Sequence, residues 1–195
     1  MECFLIPPGF WEVANASDAA RRLRAARNLT PGRFIAADRV RVDAVAGDGN
    51  CFFEAAHRGF KHLWRTEYRA SDSRGLRASV VSFIAGNPEQ TLNGLPLSEW
   101  LMQERNLSPA EYRAEMSKPP HGLAPSTWAG ALEMGVLCNI YGCRVLTWEL
   151  VREGYELVNE ALPDDGSGHD VSGRTISIVW SGLHYNVLFI DAEDV

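Results

Sequence analysis

The stretch Gly47-Asp48-Gly49-Asn50-Cys51-Phe52-Phe53 decides how the chain is read. Before it, Val40-Arg41-Val42-Asp43-Ala44-Val45 alternates with a period of two, the pattern of a half-buried strand. After it, Phe53, Ala56, Phe60, Leu63 and Trp64 recur at helical spacing. The Gly-Asp-Gly-Asn tetrad breaks the strand, so Cys51 falls in the first turn of a helix behind a glycine-rich turn. A helix N-terminus favours a thiolate through its unpaired N–H groups and its dipole. The glycines let backbone amides converge, as they must to stabilise an oxyanion.

A nucleophilic cysteine needs a base. His57 and His62 lie too far along the helix of Cys51, and His121 and His169 fall in polar or proline-rich loops. His184 instead opens an apolar strand after a tight turn, and residues two apart on a strand share a face. His184 and Asn186 therefore point one way, and Tyr185, Val187 and Phe189 the other. Asn186 is expected to accept from Nδ1–H and to aim Nε2 at the thiol, the logic of a Cys-His-Asn triad.

Farther out, Leu76, Val80, Phe83 and Ile84 predict a helix closed by Gly86-Asn87-Pro88, and Ser98 to Arg105 predicts another. Ser108-Pro109-Ala110-Glu111 is a capping box with proline at the first helical position. Trp128, Leu132, Val136 and Ile140 form an apolar stripe ended by Gly142. Arg144 to Leu150 and Tyr155 to Leu162 read as strands. Thr175 to Trp180 and His184 to Ile190 read as a hairpin. Helices early and strands late predict an α+β sandwich with a mixed sheet flanked by helices. A further helix is expected from Ser17 to Asn28. Residues 1–39 are taken as a helical extension of the same domain and 40–195 as the catalytic part.

The chain has 195 residues and a formal net charge of −6, enough length for one domain with its own core. Its only basic run is Arg21, Arg22, Arg24 and Arg27, which reads as a solvated helix face, so no nucleic-acid partner is expected. No run approaches the roughly 18 apolar residues of a membrane helix. Cys3, Cys51, Cys138 and Cys143 show no secreted-scaffold spacing, and a reducing, aqueous compartment is expected. Cys138 and Cys143 lack a second ligand pair, so they are assigned to the core and no metal or other cofactor is expected.

Asp48-Gly49-Asn50-Cys51-Phe52-Phe53 resembles the nucleophile motif of the ovarian tumour (OTU) family of deubiquitinases. His184-Tyr185-Asn186 resembles its histidine motif, and Trp128-Ala129-Gly130-Ala131-Leu132-Glu133 is similar to a helix often found there. The resemblance covers about Val40 to Ile190, and the compact size is similar to viral OTU domains. It implies a papain-like fold and thiol hydrolysis after the C-terminal glycine of ubiquitin. It also implies Cys51 as nucleophile, His184 as base and acid, Asn186 as orienter, and Asp48 as the residue shaping the oxyanion loop. The chain departs from the family pattern at Glu54, where many members carry Arg or His after the aromatic, and at Asn186, where many carry Asp.

Tyr185 and Trp180 are candidates to wall a channel for the substrate tail, and core positions are the alternative for both. The implied partner is ubiquitin, polyubiquitin or an interferon-induced ubiquitin-like modifier. The protein is expected to be a monomer in the cytoplasm, the host's if the source is a virus or a bacterial effector. Two other readings stay open: a polyprotein-processing endopeptidase or other Cys-His enzyme, and an inactive ubiquitin-binding module of the same fold.

Overall fold

A computed structural model describes residues 33–64, 72–119, 127–164, 171 and 173–190. The expected helix at Ser17 to Asn28 lies outside them. Among the described residues there are eight strands and five α-helices. In chain order they are β1 (Phe34–Ala36), β2 (Val40–Asp43), α1 (Cys51–Trp64), α2 (Ser73–Gly86), β3 (Thr91–Leu92), β4 (Leu95–Pro96), α3 (Leu97–Arg105) and α4 (Pro109–Met116). Then follow α5 (Ala131–Tyr141), β5 (Arg144–Val151), β6 (Gly154–Ala161), β7 (Thr175–Trp180) and β8 (Tyr185–Ile190). The α+β expectation holds.

Six strands form one mixed sheet in the order β1-β6-β5-β7-β8-β2, and β3 and β4 pair separately. Only β5 and β7 run parallel; the other neighbours in this sheet are antiparallel. Three residues, Ala37–Arg39, separate β1 from β2 in sequence, yet the two strands occupy opposite edges. The sheet must therefore curl until its edges come together. Its concave face confirms this: Ile35 of β1 and Val40 and Val42 of β2 pack on one cluster with Leu146, Trp148, Val179 and Leu188.

The other face of the sheet carries the helices. Phe53, Ala56 and Phe60 of α1 are fully buried there, against Val145, Ile176, Ile178 and Val187 of the sheet and Leu76, Val80 and Ile84 of α2. Full burial of one such phenylalanine stabilises the fold by about 1.5–3 kcal/mol relative to leaving it exposed. The alternation expected for β8 is present. Tyr185, Val187 and Phe189 face the helical core, and Leu188 and Ile190 face the concave cluster.

Local signals account for the helix ends. Asp72 caps α2 by accepting from the Gly75 N–H at 2.7 Å. The capping box at α4 is complete: the Glu111 N–H reaches Ser108 Oγ at 3.3 Å, and the Ser108 N–H reaches Glu111 Oε2 at 2.8 Å. Cys138 and Cys143 are buried, as expected of core positions. Phe34–Ala36 belongs to the sheet although it lies in the stretch assigned to the extension. Gly154, opposite it, admits no side chain, because a Cβ there would stand 2.2 Å from the Ile35 carbonyl oxygen.

Candidate active site

The loop between β2 and α1 is shaped by Asp48. Its carboxylate Oδ1 accepts the Asn50 N–H at 2.9 Å, and Gly49 between them takes φ +84°, a conformation in which glycine is unstrained. The turn delivers Cys51 as the first residue of α1. The backbone amides of Tyr185 and Phe52 lie close enough to its sulfur to favour the thiolate. Burial nevertheless dominates and pushes the thiol above its ordinary value; the Asp48 carboxylate pushes the same way, and the amides oppose both. Free Cys51 is therefore a protonated thiol beside the Tyr185 and Phe52 amides.

The Tyr185 amide at that sulfur belongs to the residue after His184, so the turn from β7 into β8 brings the histidine motif to the cysteine. The turn is closed by the Ser181 N–H on the His184 carbonyl at 3.0 Å. The His184 ring meets Asn186 at 3.1 Å, through Nε2 and the amide oxygen Oδ1. That oxygen also accepts the Val45 N–H at 2.9 Å. A backbone N–H can only donate, which fixes the amide of Asn186 with its oxygen at this point. Nε2 must then carry the ring proton, and Nδ1 presents the lone pair.

This reverses the expected assignment, in which Nδ1 bonded Asn186 and Nε2 served the thiol. Strand periodicity tells which residues share a face but not which edge of an imidazole turns toward a neighbour. The Val45 contact, set by the path of the chain after β2, fixes the Asn186 oxygen at the ring and so makes the facing nitrogen the one that carries the proton.

A second set of contacts holds the loop from behind. Asn50 is buried and donates Nδ2 to Ser73 Oγ at 3.1 Å. Ser73 also bonds the Glu54 carboxylate. Glu54 pairs with Arg58 at 2.8 Å, and Arg58 donates to the Ala44 carbonyl at 2.9 Å. Burial pushes Glu54 up, but the bonds from Ser73 and Arg58 outweigh it and hold the carboxylate below its ordinary value. The departure at Glu54 is thus one end of a bracket that ties α1 to both the entry strand and α2. The four-residue spacing of Glu54 and Arg58 was readable in the sequence; Ser73 was not.

Trp180 and Tyr185 face each other across the β7–β8 pair. Both are half-buried, and the Tyr185 ring packs edge-on against Phe52 at 5.6 Å. Burial pushes the Tyr185 phenol well above its ordinary value. Glu133 is fully buried in α5 and accepts from Arg105 and Tyr112 at 2.9 Å each and from the Gly130 N–H at 2.6 Å. It serves the helical layer.

Among solved structures, an OTU deubiquitinase from Wolbachia pipientis wMel matches with a TM-score of 0.54 at 20% identity, over 81% of this chain and 93% of that one. The viral OTU domain protease of Dera Ghazi Khan virus matches with a TM-score of 0.50 at 20% identity, over 78% and 82%. The fold is that of an OTU domain. The ubiquitin-bound form of the Wolbachia enzyme shares this OTU fold, with a TM-score of 0.50 at 19% identity over 80% and 97%. A Tipula iridescent virus protein named as a putative ubiquitin thioesterase is 28% identical over 101 residues, which is 51% of this chain and 11% of that protein. The OTU-like stretch thus spans about a ninth of the curated relative it matches. No family model matches the chain.

Proposed function

We propose that this OTU domain is a cysteine-type deubiquitinase, in which Cys51, His184 and Asn186 hydrolyse the bond after the C-terminal glycine of ubiquitin. The observation that carries the reading is the contact of Cys51 sulfur with the Tyr185 amide, because it joins the two motifs at one point. The Wolbachia enzyme of the same fold has been solved with ubiquitin bound.

The chemistry follows from the hydrogen bonds. Asn186 Oδ1 accepts from Nε2–H and so keeps Nδ1 as the base. As the sulfur attacks the carbonyl carbon, Nδ1 takes the thiol proton, which a thiol held neutral by burial requires. The oxyanion forms where the Cys51 amide and those of the preceding loop converge. The tetrahedral adduct collapses to a thioester as His184 passes its proton to the departing lysine amine. A water then gives its proton to Nδ1 and attacks the thioester, releasing the glycine carboxylate and restoring the thiol. Asp48 holds the loop in shape and takes no part in proton transfer.

The test is incubation with ubiquitin carrying a C-terminal electrophile, followed by mass mapping. One adduct is expected, on Cys51, and none with Cys51→Ala. His184→Ala should slow turnover of a fluorogenic ubiquitin substrate by about 10²–10⁴-fold, the usual worth of general acid–base help. Absence of any adduct while the fold is intact would leave the inactive ubiquitin-binding module as the better reading.

A further inference from the structure

Beside the nucleophile loop, on the side of α2 and α4, lies an open cleft of about 700 Å³. The protein as a whole is acidic, with a net charge of −6, but this cleft reverses the sign. Arg74, Arg77, Arg113 and Lys118 line it, with Asp48 at the end nearest Cys51. Arg74 and Arg113 are exposed, and Lys118 shares its charge with Glu115.

Arg77 is different. It is 5% exposed and makes its hydrogen bonds to neutral acceptors only: Nε to the Met116 carbonyl at 3.1 Å, and Nη2 to the Thr127 carbonyl at 2.7 Å and to Met116 Sδ at 3.6 Å. Its Nη1 is buried and has no hydrogen-bond partner among the described residues. Guanidinium groups removed from water are ordinarily paired with a carboxylate or phosphate. A buried arginine with an unused donor, in a cleft with two exposed arginines at its rim, is a prepared seat for an anion.

The shape selects among anions. The charges are spread along α2 from Arg74 and past α4 to Lys118, with the exposed Ala78 between them and the buried Val81 and Met116 beneath. A lone inorganic ion would fill a small part of such a cleft and reach only some of its charges. A polypeptide with acidic side chains matches both features. The Asp48 end places that polypeptide alongside the scissile bond.

We infer that this cleft binds an acidic polypeptide segment of the substrate, with one carboxylate on Arg77 and others on Arg74 and Arg113. Placing the segment in the substrate rests on the hydrolase reading above; the binding itself does not. Preference for tagged proteins with acidic surroundings at the modified lysine follows, since a segment held here adds its contacts to those of the tag.

The test titrates the whole protein into a fluorescein-labelled eight-residue peptide rich in glutamate, and into its glutamine counterpart, following fluorescence anisotropy. The glutamate peptide should bind at least about tenfold more tightly, a difference of about 1.4 kcal/mol. Arg74→Glu with Arg113→Glu should abolish that preference, and Arg74→Gln with Arg113→Gln should reduce it. Arg41→Glu with Arg152→Glu, which changes net charge equally but away from the cleft, should leave it within about twofold, because charges beyond a Debye length of roughly 8–10 Å are screened. Equal affinity for the two peptides, or equal loss in both charge-reversed pairs, overturns the proposal. So does displacement of the peptide by an equal concentration of inorganic phosphate, which would make this a small-anion site. No ubiquitin enters the measurement, so failure of the hydrolase reading shows separately, as absence of the Cys51 adduct.

Discussion

Glu133 offers the most exacting check on how the helical layer is held together. Its carboxylate is fully buried and receives Arg105, the Tyr112 hydroxyl and the Gly130 amide. One side chain therefore ties α3, α4 and the start of α5. Hydrogen bonds to a charged group contribute about 1.5–3 kcal/mol each, and deleting one partner of a buried ion pair costs about 3–5 kcal/mol. Glu133→Ala strands the Tyr112 hydroxyl and most of the Arg105 charge, so a loss of about 4 kcal/mol is expected. That is about a quarter or more of an ordinary domain's total of about 5–15 kcal/mol. Glu133→Gln should cost about 2–3 kcal/mol, since its oxygen can serve Arg105 and Tyr112 while its NH₂ then faces the Gly130 N–H, donor against donor. The assay is urea unfolding by circular dichroism. With a slope of about 2 kcal/mol per molar, Glu133→Ala should move the midpoint down by about 2 M. Combining it with Tyr112→Phe should give less than the sum, with a coupling of about 0.5–3 kcal/mol. A midpoint shift under about 0.5 M at unchanged slope, or strict additivity, would refute the account of a single shared anion.

Glu104 is pushed up from 4.5 to about 7 by burial and then by the Glu133 charge, with Arg105 opposing. The folded state thus holds a proton the unfolded chain releases first, and stability falls as pH rises between those values, by up to about 3 kcal/mol. Glu104→Gln should remove that slope, measured as the difference between variant and parent in urea at pH 5 and pH 8. Alkylation of free Cys51 by iodoacetamide should keep accelerating above the ordinary thiol range, because burial raises its pKa; a plateau below pH 7 would indicate a preformed thiolate. Asn186→Ala should slow turnover by less than His184→Ala does, and Asn186→Asp should hold or raise it by adding charge beside the imidazolium. A folded Asn186→Asp as inert as Cys51→Ala would make another residue the orienter.

The nucleophile loop and the histidine turn were legible because each packs its logic into a few consecutive residues. Gly49 and Asp48 dictate the turn before Cys51, and His184 and Asn186 are two apart where the turn enters β8. Strand β1 was not legible, because Phe34-Ile35-Ala36 is too short to show a period and is a strand only by pairing with Gly154–Glu156. The pairs of β3 and β4 failed for the same reason. Ser73 and Asn50 are 23 positions apart, and Arg77 and Arg113 lie on different helices, so the bracket and the basic cleft exist only once α2 has packed. That the His184 nitrogen facing Asn186 is a donor follows from Val45, 141 positions from Asn186.

The two edge strands carry a consequence for the timing of folding. Val40 pairs with Ile190 across 150 positions, and Ala36 pairs with Gly154. During synthesis at about 5–20 residues per second, β2 waits roughly 8–30 s for its partner to be made. Until β8 arrives, one margin of the sheet is unsatisfied, and the Val45 amide has no Asn186 to receive it. The same late strand that closes the sheet also supplies the Tyr185 amide to Cys51 and orders His184. A ribosome-bound chain can bury its helices early, yet its cysteine meets its histidine turn only when β8 docks. Closure of the sheet and the meeting of Cys51 with the histidine turn are one event.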